Sequence, residues 1–173
     1  SYEASPELAL ATSTRFFKEA GAMAVKLEGA HLATVEKLTS VGIPVMGHLG
    51  LTPQSLHQLG GYRVQGRTDG DAIVEAALAL EKAGAFAIVL ELVPADLASR
   101  ISKTLTVPTI GIGAGTECDA QVLVWTDMAG LTANPPKLAK AYRNLRQELM
   151  GAAQEFAEEV RSGKFPTESQ TFH

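Results

Sequence analysis

Lys26, Glu28, His48 and Glu91 are the residues of this chain whose type and setting suit them to chemistry. They stand in or at the ends of three short apolar, β-prone runs: Val25-Lys26-Leu27-Glu28, Pro44-Val45-Met46-Gly47-His48 and Phe86-Ala87-Ile88-Val89-Leu90-Glu91. Parallel strands are buried on both faces and read as near-continuous hydrophobic runs, so polar groups collect at their carboxyl ends, where the site of a parallel α/β enzyme opens. Several strands ending this way predict groups that converge on one pocket. Lys26 and Glu28 are two apart and share a face of their strand, while Val25 and Leu27 share the other. An ammonium beside a carboxylate on a buried face is costly unless each finds a partner, which a ligand, a metal or mutual pairing would each provide. Glu91 closes an apolar run, a setting that raises a carboxylate's affinity for a proton and suits a base; the competing reading is a carboxylate emerging into solvent. His48 sits in Gly47-His48-Leu49-Gly50, where the glycines allow a ligand to approach the backbone closely, although a lone histidine is more often a hydrogen-bonded structural residue.

Weaker signals surround these. Gly111-Ile112-Gly113-Ala114-Gly115 follows a strand and would either cradle an anion or line a tight pocket, but it lacks the spacing of a dinucleotide fingerprint. Tyr62, Arg63, Gln65 and Arg67 lie in a glycine-bounded loop where two arginines could meet an anionic ligand, solvated arginines being the commoner case. Cys118 has no histidine or acid close in sequence to activate it. Asp127 reads as a helix cap as readily as a site residue, and His31, His57 and His173 carry no usable pattern.

The elements that must position these groups alternate. Ser5-Pro6-Glu7 is a helix start, Ser5 as N-cap and Pro6 at the first helical position, running toward Gly21. The pattern then predicts a strand from Ala22 to Glu28, a helix from Leu32 to Thr39, a strand from Ile43 to His48, and a long loop from Gly50 to Asp71 rich in Gly, Pro, Gln and Arg. Asp71 to Ala83 reads as a helix, Phe86 to Val93 as a strand, Ala95 to Leu105 as a helix, Val107 to Ile112 as a strand and Val122 to Trp125 as the last strand. Helical spacing then runs from Pro136 to Ser162 and gives way to an irregular tail after Gly163. The strands are apolar enough to be parallel and covered on both faces. A closed eight-stranded barrel takes about 250 residues, so five such strands are either an open doubly wound sheet or the last five-eighths of a barrel.

At 173 residues, 46% hydrophobic and 20% charged, the chain suits one compact domain with a sizeable core. A net charge of −4 without a basic block gives no support to a nucleic-acid surface. With one cysteine, no signal-peptide pattern and no apolar run of membrane-spanning length, a cytoplasmic protein away from the membrane is expected.

Five motifs, VKLEG at Val25 to Gly29, GHLGLTPQS at Gly47 to Ser55, GYRVQGR at Gly61 to Arg67, LELVP at Leu90 to Pro94 and GIGAG at Gly111 to Gly115, closely resemble the ketopantoate hydroxymethyltransferase family. They occur in that family's order, and the likeness extends to Phe165-Pro166 and Phe172-His173. The resemblance implies a (β/α)8 TIM barrel of the phosphoenolpyruvate mutase and isocitrate lyase type, assembled as a homodecamer. It implies transfer of a hydroxymethyl group from 5,10-methylenetetrahydrofolate to 3-methyl-2-oxobutanoate, giving 2-dehydropantoate on the way to pantothenate and coenzyme A. By motif match Glu91 is the proton acceptor, Lys26 binds the keto acid, His48 lines the substrate site and Glu28 belongs to a Mg2+ site. Residues 1–173 are then expected to form a single barrel domain lacking its first three β/α units, and with them two aspartate metal ligands and a substrate-contacting serine. Two smaller departures are Ala30, where a second glycine is common, and Ala120, where glycine is usual. Two other functions stay open at this point: a related barrel acting as a 2-oxo acid lyase or aldolase, and an inactive barrel fragment serving only in assembly.

Overall fold

The computed structural model describes residues 2–173, which form two compact units, one reaching to Val122 and one from Leu123 to His173. The first unit opens with helix α1, Pro6–Ala20, whose Ser5 Oγ accepts the Leu8 N–H at 3.1 Å and whose end is turned by Gly21 in the left-handed conformation. Both ends therefore fall where the Ser-Pro and Gly signals put them.

Strand β1 (Val25–Glu28), helix α2 (Leu32–Ser40), strand β2 (Val45–Gly50), helix α3 (Gly70–Lys82), strand β3 (Ala87–Glu91), helix α4 (Ala95–Thr104) and strand β4 (Thr109–Ile112) follow, with a two-residue strand β5 (Ala120–Gln121) closing the sheet. All neighbouring strands are parallel and their spatial order is β1-β2-β3-β4-β5. A doubly wound sheet reverses its strand order at a switch point. This one never reverses, so the winding is that of a (β/α)8 barrel, of which these are five successive strands.

The hydrophobic core lies on one side of the sheet. Leu27, Val45, Leu49, Ile88 and Leu90 point to that side and pack with Val35 and Leu38 of α2, Ala77 and Leu80 of α3, and Leu97, Ala98 and Ile101 of α4. Burial of each such side chain contributes roughly 1.5–3 kcal/mol. Helices α2, α3 and α4 all pack on this one side, as the barrel alternative requires and the doubly wound one does not, and the alternate residues, including all four candidate site residues, are left for the other.

The last strand is also corrected. Val122 to Trp125 is not a strand; pairing ends at Gln121, with one more hydrogen bond from Val122 N–H to Gly111 O, and Trp125 begins a one-turn helix α5, Trp125–Met128. In the second unit the helix expected from Pro136 begins only at Leu145 and runs to Ser162 as α6. Asn144 caps it by accepting from Gln147 N–H at 3.3 Å, and the preceding segment is drawn off helical geometry by backbone bonds from Tyr142, Leu145 and Arg146 to Met128, Ala129 and Gly130. Leu138 and Tyr142 therefore shared a helical spacing without sharing a helix. Past Gly163 the tail holds one 3-10 turn, Glu168–Gln170, and is otherwise irregular. No described helix is long and apolar enough to cross a membrane.

Candidate functional site

Strand register decides which side chains meet. Glu28 stands beside His48, His48 beside Val89, and Gly50 beside Glu91. Residues paired across a parallel sheet point the same way, so Lys26, Glu28, His48 and Glu91 share the face that the helices do not cover. Glu28 and Glu91 are the last residues of their strands, and His48 lies two short of the end of β2.

His48 is the centre of this group. Its Nε2 lies 3.2 Å from Glu91 Oε2 and its Nδ1 lies 3.7 Å from Glu28 Oε1, so the imidazole is flanked by two carboxylates from the strands on either side. The residue is 1% exposed, yet neither ring nitrogen makes a hydrogen bond. The 3.7 Å separation is too long, and the 3.2 Å contact is off the axis along which a ring N–H would donate. A buried polar group without a partner costs roughly 1–3 kcal/mol. The arrangement leaves the polar atoms of His48 available to a ligand beside the Glu91 carboxylate.

The backbone around Glu91 is tightly specified. Leu51 N–H donates to Glu91 O at 2.8 Å, and Gly50 has φ +89°, where a Cβ would lie 2.1 Å from that same oxygen. Only glycine fits there. Leu92, with φ +47°, is the one non-glycine among the described residues in the left-handed region. It is held by its N–H bond to Ile112 O and by Gln65 N–H donating to its own carbonyl, both at 2.9 Å. Backbone strain of this kind costs of order 1–3 kcal/mol and persists where neighbours over-determine it. The loop predicted from Gly50 to Asp71 is thereby tied to the end of β3 through Gln65.

Glu28 is held from two sides. Its Oε2 accepts Gln54 N–H at 2.9 Å, and its backbone N–H donates at 3.0 Å to the Tyr2 hydroxyl, which itself donates to Gln54 Oε1 at 2.6 Å. Tyr2 and Gln54 were not singled out from the sequence. Their signal exists only in three dimensions, because they lie 26 residues from Glu28 in opposite directions.

Lys26 shares the face of Glu28 but is exposed and, among the described residues, forms no ion pair. Mutual pairing with Glu28 is therefore not what satisfies it. It lines a cleft between α1 and β1 with Tyr2, Phe16 and Gln54. Arg67 lines a different cavity, with Arg100, Asp71 and Asp96, and Tyr62 is exposed, so the arginine loop does not bring its charges to the His48 group.

The glycine run after β4 is explained by packing. A Cβ on Gly111 would sit 3.0 Å from the Gln121 amide and 3.1 Å from Cys118 Sγ, and one on Gly115 would sit 2.6 Å from Ala95 Cβ. Cys118 is a buried free thiol. Asp127 lies within α5, buried, accepting from the Thr132 hydroxyl, a structural role.

For a magnesium ion, Glu28 fits as one hard oxygen donor, a ligand type that ion prefers. Among the described residues no cluster of three His, Cys, Asp or Glu side chains is disposed to hold a metal, so Glu28 would share the ion with water, substrate oxygens or donors of another kind.

The family model and the curated relatives agree on one family. The family model for ketopantoate hydroxymethyltransferase matches residues 1–168. The 3-methyl-2-oxobutanoate hydroxymethyltransferase of Frankia alni is 58% identical over 99% of this chain and 58% of its own length. That of Thermobifida fusca is 57% identical over 99% of this chain and 63% of its own length. The chain thus spans about three-fifths of the curated relatives it matches. A solved phosphonopyruvate hydrolase, in complex with oxalate and Mg2+, superposes with a TM-score of 0.46 at 19% identity, covering 95% of this chain and 61% of that one.

Proposed function

Since the chain belongs to the ketopantoate hydroxymethyltransferase family, we propose that its site takes part in 3-methyl-2-oxobutanoate hydroxymethyl transfer. The observation that carries this reading is the pair of Glu91 and His48 on adjacent strands, 3.2 Å apart, on the same face as Lys26 and Glu28. The Glu91 carboxylate removes the proton from C3 of the 2-oxo acid. The enolate carbon then forms a bond to the one-carbon unit of 5,10-methylenetetrahydrofolate, water supplies the hydroxyl oxygen, and tetrahydrofolate and 2-dehydropantoate leave.

His48 lines the substrate site beside the Glu91 carboxylate, 3.2 Å away. The Lys26 ammonium, exposed and without an ion pair among the described residues, attracts the substrate carboxylate and stabilises charge that develops on the enolate. Bound Mg2+, held in part by Glu28, would supply a Lewis acid for the oxygens of the 2-oxo acid. The same reading places the protein in the cytoplasm, on the path to pantothenate and coenzyme A, as a homodecamer acting on small molecules.

Proton NMR of 3-methyl-2-oxobutanoate in deuterated water tests it. With the purified protein and magnesium, loss of the C3 proton signal is expected, and addition of methylenetetrahydrofolate should convert substrate to 2-dehydropantoate. Exchange without folate-dependent product would favour the lyase or aldolase reading. A folded protein that supports neither would favour an inactive barrel module.

A further inference from the structure

Were β3 to run on as an extended strand, alternation would put Val89, Glu91 and Val93 on one face. The chain does otherwise. Val89 keeps to the face of Glu91 and stays outside the core cluster, whereas Val93, 3% exposed, belongs to that cluster with Leu90 and Leu97 on the opposite side. The turn that sends it there is made at Leu92, with φ +47°, a half-buried residue that is itself no member of the core. A leucine in the left-handed region is strained, and glycine would take the same conformation freely. Strain of this kind persists where the surroundings over-determine it, and it collects at functional sites.

Resting on Glu91 as the proposed base, we infer that Leu92 is a positioning residue: its left-handed turn ends β3 at Glu91, pins the backbone that carries the carboxylate, and keeps Val93 out of the space the substrate must enter. The pinning comes from both flanking strands. The Glu91 carbonyl accepts Leu51 N–H at 2.8 Å and Leu92 N–H donates to Ile112 O at 2.9 Å, so the peptide joining the two residues is held at both edges. The Leu92 carbonyl, turned out of the sheet, accepts Gln65 N–H at 2.9 Å from the loop after β2, which holds the strained conformation in place. With Leu92 extended, the isopropyl group of Val93 would stand on the site face two residues on from Glu91. Proton abstraction needs the reacting atoms within about 3–3.5 Å of each other. A shifted carboxylate or an apolar side chain beside it would each break that condition.

The test is C3 exchange of 3-methyl-2-oxobutanoate, followed by NMR against substrate concentration, in variants of this one position. Leu92→Asn keeps the turn, because asparagine tolerates the left-handed region best among non-glycine residues, and exchange should stay within about twofold of the wild type. Leu92→Gly permits the turn without enforcing it, and Leu92→Val opposes it, since a β-branched residue resists positive φ. The maximal exchange rate should fall roughly tenfold for Leu92→Gly, with KM little changed, and roughly 100-fold for Leu92→Val, with KM raised as Val93 enters the site. A turn with only a structural role would move the melt and leave exchange per folded molecule alone. Should Leu92→Val not fold, Leu92→Gly decides. The inference fails if folded Leu92→Gly exchanges at the wild-type rate while Glu91→Gln does not. It fails too if Leu92→Asn loses as much as Leu92→Val, which would assign the effect to the leucine side chain and not to the turn. If Glu91→Gln exchanges as fast as the wild type, or the wild type not at all, Glu91 is not the base and both readings fall.

Discussion

Two polar side chains are buried in the sheet, on opposite faces, and they are treated differently. Thr109, 0% exposed, points to the side the helices cover; His48, 1% exposed, points to the other. The Thr109 hydroxyl is shared with Ser102 Oγ at 2.6 Å and Asp119 Oδ2 at 2.9 Å, and its N–H also donates to Asp119 at 2.8 Å. Both nitrogens of His48 go without a hydrogen bond although carboxylates stand 3.2 and 3.7 Å away. A polar group that folding buries for packing is satisfied by its neighbours; one left unsatisfied has a cost that another use must offset. One sheet therefore differs by face, with packed and satisfied groups on the side of Ile88 and Leu90, and the unsatisfied His48 between Glu28 and Glu91, the proposed site, on the other.

Substitutions on either face can break that separation. The largest effect is expected for Glu91→Gln, which keeps the shape of the side chain and removes the base: C3 exchange measured by NMR should fall by about 10²- to 10⁴-fold while the melt stays in place. A similar loss of folding stability would make Glu91 a structural carboxylate and end the distinction. Next comes Thr109→Val, which deletes the shared hydroxyl and leaves Ser102 and Asp119 short of a partner inside the packed side; chemical denaturation should show a loss of about 1–3 kcal/mol. Smaller still is the expected stability effect of His48→Leu. No protein hydrogen bond is forfeited and a buried polar ring is exchanged for an apolar group, so the change should stay near 1 kcal/mol or below, roughly neutral, with exchange activity reduced. A cost of several kcal/mol would mean that His48 is satisfied in solution in a way its geometry does not convey.

How much of this was legible in the sequence follows from the range of each signal. The α1 start at Ser5-Pro6, the β1 to β4 strand bodies and the convergence of Glu28, His48 and Glu91 rest on period and local capping, which act within a few residues. The face that helices leave uncovered was legible only on the barrel alternative, in which the charged face of β1 is the interior, because apolar runs alone look alike whether a helix or another layer packs on them. Alternation placed Lys26 with Glu28 correctly yet left open whether they pair; the exposed, unpaired Lys26 needed coordinates. Leu138 and Tyr142 misled because a helical spacing survives in a segment that Asn144 capping and bonds to Met128 hold apart from α6. The Tyr2 and Gln54 contacts to Glu28 span 26 residues each and leave no trace in spacing. GIGAG left open an anion cradle or a tight backbone lining, and what Gly111 and Gly115 make room for, Gln121, Cys118 and Ala95, is set by neighbours outside the motif.

The satisfied face also predicts a response to acid. Asp119, through the Thr109 N–H and hydroxyl that it accepts, is held below the usual aspartate pKa of 3.8, and Glu81, bonded to the Thr106 hydroxyl and the Thr106 and Val107 N–H groups, below the usual 4.5. A carboxylate whose folded pKa is depressed adds stability that is fully present above its unfolded pKa and disappears as pH falls through the folded one. Both groups are close to solvent, which screens the effect and makes it the smallest of those expected here. Asp119→Asn keeps an oxygen for Thr109 and removes the charge. The stability difference between the two proteins, followed by denaturant melts from neutral pH downward, should therefore hold steady to about pH 4 and shrink below it. Loss of that difference at higher pH would mean that the Thr109 N–H and hydroxyl do not hold Asp119 below its usual range, and that the helix-covered side is less fully satisfied than its hydrogen bonds indicate.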